Sequence, residues 1–357
     1  MIEGGTAGNT RPVEGGVVTT SPDAPMPLDV ASYPDTRTER DRFVVRRRSA
    51  RRVHDAWRHQ GVLVEPERSA DGHIESTATV FLTGRECPWR CVMCDLWQYT
   101  TADDTPRGAI PAQIGDAVTS LRHPLPTVIK LYNAGSFFDR RAVPPSDIAA
   151  IADHLAPFDR IIVEAHPSLI GDATWRFRDA VDARHPGARL EVAIGLETAN
   201  PDAFHRLNKG IALDAVTRAA RALAAHEVDV RMFVLIAPPF VPLDQQDSWL
   251  AESVRFASAC GATATTLIPT RPGEGALQAL AAAGQFRAPT LDDVERAAAI
   301  GLANASGRVF VDTWNLEALP SCPQCGPTRR ARLQRFNLEQ RLPAAVECRS
   351  CGRRCPS

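Results

Sequence analysis

The reading of this chain turns on Glu86-Cys87-Pro88-Trp89-Arg90-Cys91-Val92-Met93-Cys94-Asp95-Leu96-Trp97. Three of the nine cysteines fall in this stretch, spaced C-x3-C-x2-C. Thiolates are soft ligands that suit iron–sulfur clusters or zinc. Three of them this close can grip three corners of a cubane and leave its fourth iron open. A structural zinc site wants a fourth protein ligand, and a disulfide framework has no need of such crowding.

Outward from the cysteines the chain alternates between short apolar runs and amphipathic ones. A strand is predicted at 77–83, running into the cysteine loop at Gly84. A helix at 111–121 has Ile114, Ala117, Val118 and Leu121 on one face. Strands follow at 127–132, 160–164, 190–195, 228–236 and 262–268, the last two stopped by Pro238-Pro239 and Pro269. Between them lie helices at 145–155, with Ser146 as an early cap, and at 172–183, 213–226 and 245–259. Further helices are expected at 274–283 and 291–304, and a short strand at 308–311.

Six strand–helix units in series predict a parallel sheet covered by helices. Right-handed crossovers curl such a sheet toward a barrel. A full eightfold barrel needs about 250 residues and two more units, so the count fits an open, partial (βα)6 TIM-type barrel of the α/β class. A doubly wound dinucleotide fold would put a glycine-rich turn after the first strand, where three cysteines stand instead. The chain divides into a disordered N-terminus (1–30), an Arg-rich N-terminal extension (31–75), the barrel core (76–312) and a small C-terminal four-cysteine module (313–357).

At residues 87–94 the sequence resembles the radical S-adenosylmethionine (SAM) superfamily, whose signature has this spacing. The resemblance implies a [4Fe-4S] cluster on Cys87, Cys91 and Cys94, with the open iron chelated by the amino and carboxylate groups of SAM. It implies reductive cleavage of SAM to methionine and a 5′-deoxyadenosyl radical, and an electron donor such as flavodoxin or ferredoxin. Met93 stands at a cofactor-side position that is often aromatic in that family. The stretches 130–139, 163–167, 195–198 and 207–210 resemble those of the archaeosine-synthase radical subunit group, which is related to the elongator catalytic-subunit radical domain. The Cys-Pro-x-x-Cys-x-Met-Cys-Asp-Leu-Trp signature also resembles that of bacterial radical SAM proteins whose substrates are unassigned. By analogy these likenesses imply a tRNA base as substrate. The alternatives are a small molecule or peptide substrate, or a non-catalytic iron–sulfur or zinc protein that binds RNA or acts as a sensor.

In parallel α/β folds the site lies at the C-terminal ends of the strands. There the sequence offers the loop of Asn133, Gly135 and Ser136, whose backbone is a candidate acceptor for the SAM amino group. Glu164 and His166 follow the third strand, Glu164 as a cofactor-binding candidate and His166 as a catalytic one. Glu197 follows the fourth and is a candidate partner for the ribose hydroxyls, as at the superfamily's fourth-strand position. Lys209 is a candidate partner for the SAM carboxylate. Lys130 and Lys209 are the two lysines among 41 Lys and Arg residues, which singles both out in a chain that otherwise uses Arg. Arg231 and Arg271 are candidates for an anionic substrate, with internal pairing the other reading for Arg231.

Hydrophobic content of 44% and a charged fraction of 23% describe an ordinary chain able to bury a full core. No apolar run approaches the ~20 residues of a membrane helix, so no membrane partner is expected. The N-terminus lacks a basic-then-apolar leader, and reduced thiols point to the cytoplasm. Net charge is −1, yet arginines crowd residues 37–54 and 311–357. Such arms are candidates for a polyanion such as RNA. Cys322-x2-Cys325 and Cys348-x2-Cys351, with Cys355 spare, read as a zinc ribbon of four ligands. Its competitor is an auxiliary iron–sulfur cluster. The arginines of 329–341 lie between the knuckles as a candidate RNA contact. Cys260 reads as a small buried hydrophobe.

Overall fold

The computed structural model describes residues 33–271, 273 and 275–352. The expected disorder of 1–30 and the spare Cys355 lie outside the described residues. Eight strands form one sheet in sequence order: β1 (Gly61–Arg68), β2 (Ile74–Phe81), β3 (Val128–Tyr132), β4 (Arg160–Ala165), β5 (Arg189–Glu197), β6 (Asp229–Ile236), β7 (Ala264–Pro269) and β8 (Arg308–Val311). From β2 to β8 every neighbouring pair is parallel, and β1 pairs antiparallel with β2. The helices are α1 (Arg37–Val45), α2 (Ala109–Ser120), α3 (Ile148–Leu155), α4 (Asp172–Asp182), α5 (Pro201–Arg206), α6 (Leu213–Ala225), α7 (Gln246–Ala259), α8 (Ala276–Ala282), α9 (Leu291–Asn304) and α10 (Gly326–Glu339). This is a partial (βα)6 barrel with extensions at both ends.

The strand at 61–68 was not among the expected elements. Its run Gly-Val-Leu-Val-Glu-Pro-Glu-Arg carries Pro66, which cannot donate to a ladder. Proline is tolerated here because β1 is an edge strand. A tight turn then returns the chain into β2, where Ser69 donates to the His73 carbonyl at 2.9 Å.

Side-chain alternation divides the sheet into two surfaces. On β6, Val230, Met232, Val234 and Ile236 are buried in the main apolar cluster with the helices. The alternate residues Arg231, Phe233 and Leu235 line a cavity of about 790 Å³ inside the barrel. On β3 the same parity sends Ile129 and Leu131 outward, while Lys130 and Tyr132 line the cavity. The helical side thus supplies the apolar core, and the concave side carries the chemistry.

α10 covers the open edge of the sheet. The Asn337 side-chain amide accepts from the Val311 N–H and donates to the Val311 carbonyl, both at 2.8 Å. Gln340 does the same for Val309, both at 2.8 Å. Two amides, one on the last turn of α10 and one on the left-handed residue that ends it, thus replace the missing strand beside β8. Arg68 at the end of β1 donates to the Leu338 carbonyl at 3.0 Å, which ties the far edge to the same helix. Replacing Asn337 by Leu would leave two buried backbone groups of Val311 unpaired. The variant is expected to lose about 1–3 kcal/mol, read as a lower urea midpoint at unchanged slope.

Candidate active site

The cysteine loop leaves the C-terminal end of β2 and has no regular structure across its ligand positions. Its two ends are pinned together: Thr101 N–H donates to the Gly84 carbonyl at 2.9 Å, and Glu86 N–H to the Thr101 carbonyl at 3.1 Å. Glu86, directly before Cys87, is held by Arg48 at 2.8 Å, by Arg90 at 3.0 Å and by Arg51. The Arg48 guanidinium also lies 4.7 Å from the Trp97 ring centroid. Part of the Arg-rich N-terminal segment is therefore spent on bracing this loop, whereas Arg42, Arg46 and Arg52 stay exposed.

The loop docks on the turn at residues 207–210, which follows α5. Val92 N–H donates to the Leu207 carbonyl at 3.0 Å. The Asn208 side chain donates to the Arg90 carbonyl at 2.9 Å and to Asp41 of α1 at 2.7 Å. Asn208 and Gly210 both have positive φ, 63° and 80°. A Cβ on Gly210 would come within 2.9 Å of the Trp89 ring. Trp89 in turn stacks on His166, with centroids 3.5 Å apart. The His166 Nε2 contacts the Lys209 carbonyl at 3.1 Å and its Nδ1 the Ser168 hydroxyl at 2.7 Å. Burial, and then the Lys209 charge, lower His166 to about 3. Proposed from sequence as catalytic, His166 has both nitrogens engaged and is placed as a clamp between the cysteine loop and the turn.

Lys209 and Glu197 form a buried pair at 2.8 Å. Glu197 sits at a bulge at the end of β5, with φ of 68°. A side chain on Gly195 would overlap the Glu197 carboxylate and come within 2.5 Å of Lys209 Nζ, so this glycine leaves the room the pair occupies. Cys87 and Cys91 are near enough to act on the Lys209 charge. Burial pushes the Cys91 thiol up to about 12, with Lys209 pulling the other way, and raises Cys87 and Cys94 as well. Such thiols ionise when a metal binds them, and three thiolates are the donor type an iron–sulfur cluster takes.

Across the mouth, Glu164 at the end of β4 accepts from the N–H groups of Asn133 at 2.8 Å and Gly135 at 3.4 Å. Between them Ala134 takes a left-handed φ of 54°. A Cβ on Gly135 would lie 3.5 Å from the Cys87 Cβ, so this loop abuts the cysteines. The Ser136 hydroxyl accepts from the His166 N–H at 3.1 Å. Both polar atoms of the Asn133 amide are buried without a protein partner, as beside a bound polar cofactor. Met93, Cys94, Ala134, Glu164 and Glu197 line the upper part of the barrel cavity. Lys130 and Arg231 lie deeper in it. Arg231 pairs with Glu67 at 2.6 Å and Glu191 at 2.5 Å, the internal pairing expected as its alternative. Arg271 pairs with Asp312 at 2.7 Å.

At the C-terminus, the sulfurs of Cys322, Cys325, Cys348 and Cys351 all lie within 4.8 Å of one another. Backbone N–H groups two and three residues on point at Cys322 and Cys348; both thiols are lowered, Cys348 to about 7. Burial and the neighbouring sulfurs push Cys325 up to about 12. The segment between the knuckles is the helix α10 rather than a β-ribbon. Arg329 and Arg332, offered from sequence as an RNA contact, point inward: Arg329 pairs with Glu295 at 2.7 Å and Arg332 with Glu295 at 3.0 Å. Cys260 is buried in the apolar core, as expected.

No protein-family profile matches the chain. An uncharacterised protein of Methanocaldococcus jannaschii is 23% identical over 323 residues, 84% of this chain and 86% of that protein. The archaeosine synthase subunit beta of Methanosarcina acetivorans is 25% identical over 231 residues, 62% of this chain and 65% of its own length. This chain thus spans just under two thirds of that subunit. Among solved structures, methylornithine synthase superposes with a TM-score of 0.48 at 12% identity, over 72% of this chain and 68% of that one. No helix among the described residues is long and apolar enough to cross a membrane.

Glu164 provides a test of the loop. Burial raises its carboxyl from 4.5 to about 7, against the pull of the Gly135, Asn133 and Ala134 N–H groups. Its folded value exceeds its unfolded one, so the fold binds this proton more tightly than the unfolded chain does. Stability therefore falls as pH rises between the two values, by at most about 3 kcal/mol. Glu164→Gln keeps an acceptor oxygen and removes the charge. The variant is expected to melt with wild type near pH 4 and above it near pH 8; parallel melting profiles would contradict this.

Proposed function

We propose that the chain is a radical SAM enzyme whose Cys87, Cys91 and Cys94 hold a [4Fe-4S] cluster. The observation that carries this reading is the placement of the three thiols. They sit at the C-terminal end of the first parallel strand, beside the Glu197–Lys209 pair and the Asn133 loop, with Cys94 lining the barrel cavity. Bound there, the cluster and SAM would supply one-electron cleavage of the sulfonium and a 5′-deoxyadenosyl radical that removes hydrogen from substrate. The chain's part is to bind and orient. Lys209, fixed by Glu197, offers a buried cation to the SAM carboxylate. Glu197 has a second oxygen for ribose hydroxyls. The backbone of residues 133–136 and the Glu164 carboxyl face the amino group.

The cavity volume of about 790 Å³ lies within the range of small-ligand sites. A tRNA base as substrate is supported by the likeness to the archaeosine synthase subunit and by the exposed Arg42, Arg46 and Arg52. A small molecule or peptide is favoured by the inward use of Arg48, Arg51, Arg329 and Arg332. For the C-terminal set we assign zinc. A tetrahedral ion with Zn–S of about 2.3 Å spaces its sulfurs about 3.8 Å apart, in keeping with four sulfurs inside 4.8 Å. A cubane puts four irons and four sulfides between its ligands and needs more room. A low-potential donor such as flavodoxin or ferredoxin, in a cytoplasmic setting, completes the proposal.

The test is anaerobic reconstitution followed by dithionite and SAM. 5′-Deoxyadenosine is expected from wild type and none above background from Cys94→Ala. Equal yields would remove the assignment. Lys209→Met is expected to keep the cluster and weaken SAM binding by about ten-fold or more.

A further inference from the structure

Seven charged side chains meet at the N-terminal end of the barrel, far from the cysteines. Glu67 pairs with Lys130 and Arg231, Glu75 with Arg160, and Glu191 with Arg231, Arg160 and Arg308. These three carboxylates and four cations are joined in the cavity lining by a fourth carboxylate, Glu65, the register partner of Thr77.

Lys130 is the cation with donors to spare. An ammonium carries three N–H donors, and the one hydrogen-bond partner of Lys130 is Glu67. By contrast, Arg231 is bonded to Glu67, Glu191 and Thr266. To reach Glu67 on β1 from β3, the Lys130 side chain crosses β2, where Thr79 is its register partner and Thr77 the next residue on that face. The Thr77 hydroxyl is buried without a hydrogen-bond partner, although Thr77 is only 2% exposed and lines the cavity. One continuous cavity joins this floor to Cys94 at the mouth. From Lys130 to Tyr132, where β3 ends, the rise is about 7 Å, and the aromatic rings of Phe81, Tyr132 and Phe233 line the cavity.

We propose that the cavity floor at Lys130 and Thr77 is an anion site for a carboxylate at the far end of the substrate. Resting on the reading of the cavity as the substrate chamber, this makes the substrate group an elongated one. It enters carboxylate first, runs past aromatic walls and leaves its reacting carbon beneath the cysteine loop. Lys130 and Thr77 are then specificity residues, and the Glu67–Arg231–Glu191 chain holds Lys130 in place. The same floor explains why lysine rather than arginine stands at 130: a compact ammonium can serve Glu67 and a ligand together.

The test needs neither iron nor SAM, so its outcome is separate from that of the cleavage assay. Straight-chain carboxylates from butanoate to octanoate are titrated against the full-length protein beside their primary amides, with saturation-transfer NMR and thermal shift as readouts. Carboxylates are expected to bind about ten-fold tighter than the matched amides. Lys130→Met is expected to abolish that preference. Thr77→Val removes only an unpartnered hydroxyl; it is expected to keep the wild-type melting temperature and reduce the preference several-fold. Equal binding of acids and amides, no binding of either series, or an undiminished preference in Thr77→Val would overturn the proposal.

Discussion

The cysteine loop depends on one contact that lies far away in sequence, the turn at residues 207–210. Among its described contacts, that turn gives the loop a backbone acceptor at Leu207, a side-chain donor at Asn208 and a glycine against which Trp89 packs. The same turn carries Lys209, whose ammonium reaches Glu197 and whose carbonyl meets His166. Four separate segments, the ends of β4 and β5, the cysteine loop and α1, are thereby held to one short piece of chain. Isolated loops are ordinarily the mobile part of a fold. Here the left-handed Asn208 and Gly210 let the backbone fold tightly enough to serve every neighbour at once.

A second constraint acts at the opposite edge of the sheet. Eight strands that do not close leave a free ladder on β8. The amides of Asn337 on α10 and of Gln340, which caps its end, satisfy it, and this segment is flanked by the two cysteine knuckles. Gln334, Asn337 and Leu338 also line the barrel cavity. A metal at the four cysteines would therefore do more than fold a small appendage: it would fasten the stave that closes the chamber.

The sequence made the parallel strands legible because their apolar runs are short, regularly spaced and stopped by turn residues. It made the mouth legible because unusual residues follow those strands: three cysteines, Glu164, Glu197 and Lys209. β1 was hidden by Pro66, which reads as loop and is permitted only because the strand is an edge. The fate of the arginines was also hidden. Composition shows that Arg48, Arg51, Arg329 and Arg332 are basic, but only their placement beside Glu86 and Glu295 turns them inward. The contacts of His166 were hidden too: stacking on Trp89 and bonds to both nitrogens are tertiary facts with no local signature. The charged floor is of the same kind. Lys130, Arg160, Arg231 and Arg308 stand on four different strands, and only the parity of each strand aims them at one point.

What the two cysteine sets hold decides the chemistry open to this chain. The deciding measurement is iron, acid-labile sulfide and zinc in the protein purified without oxygen. About four irons, four sulfides and one zinc per chain are expected, with the iron lost in Cys94→Ala and the zinc lost in Cys348→Ala. A protein with zinc and no iron at Cys87, Cys91 and Cys94 would contradict the central claim.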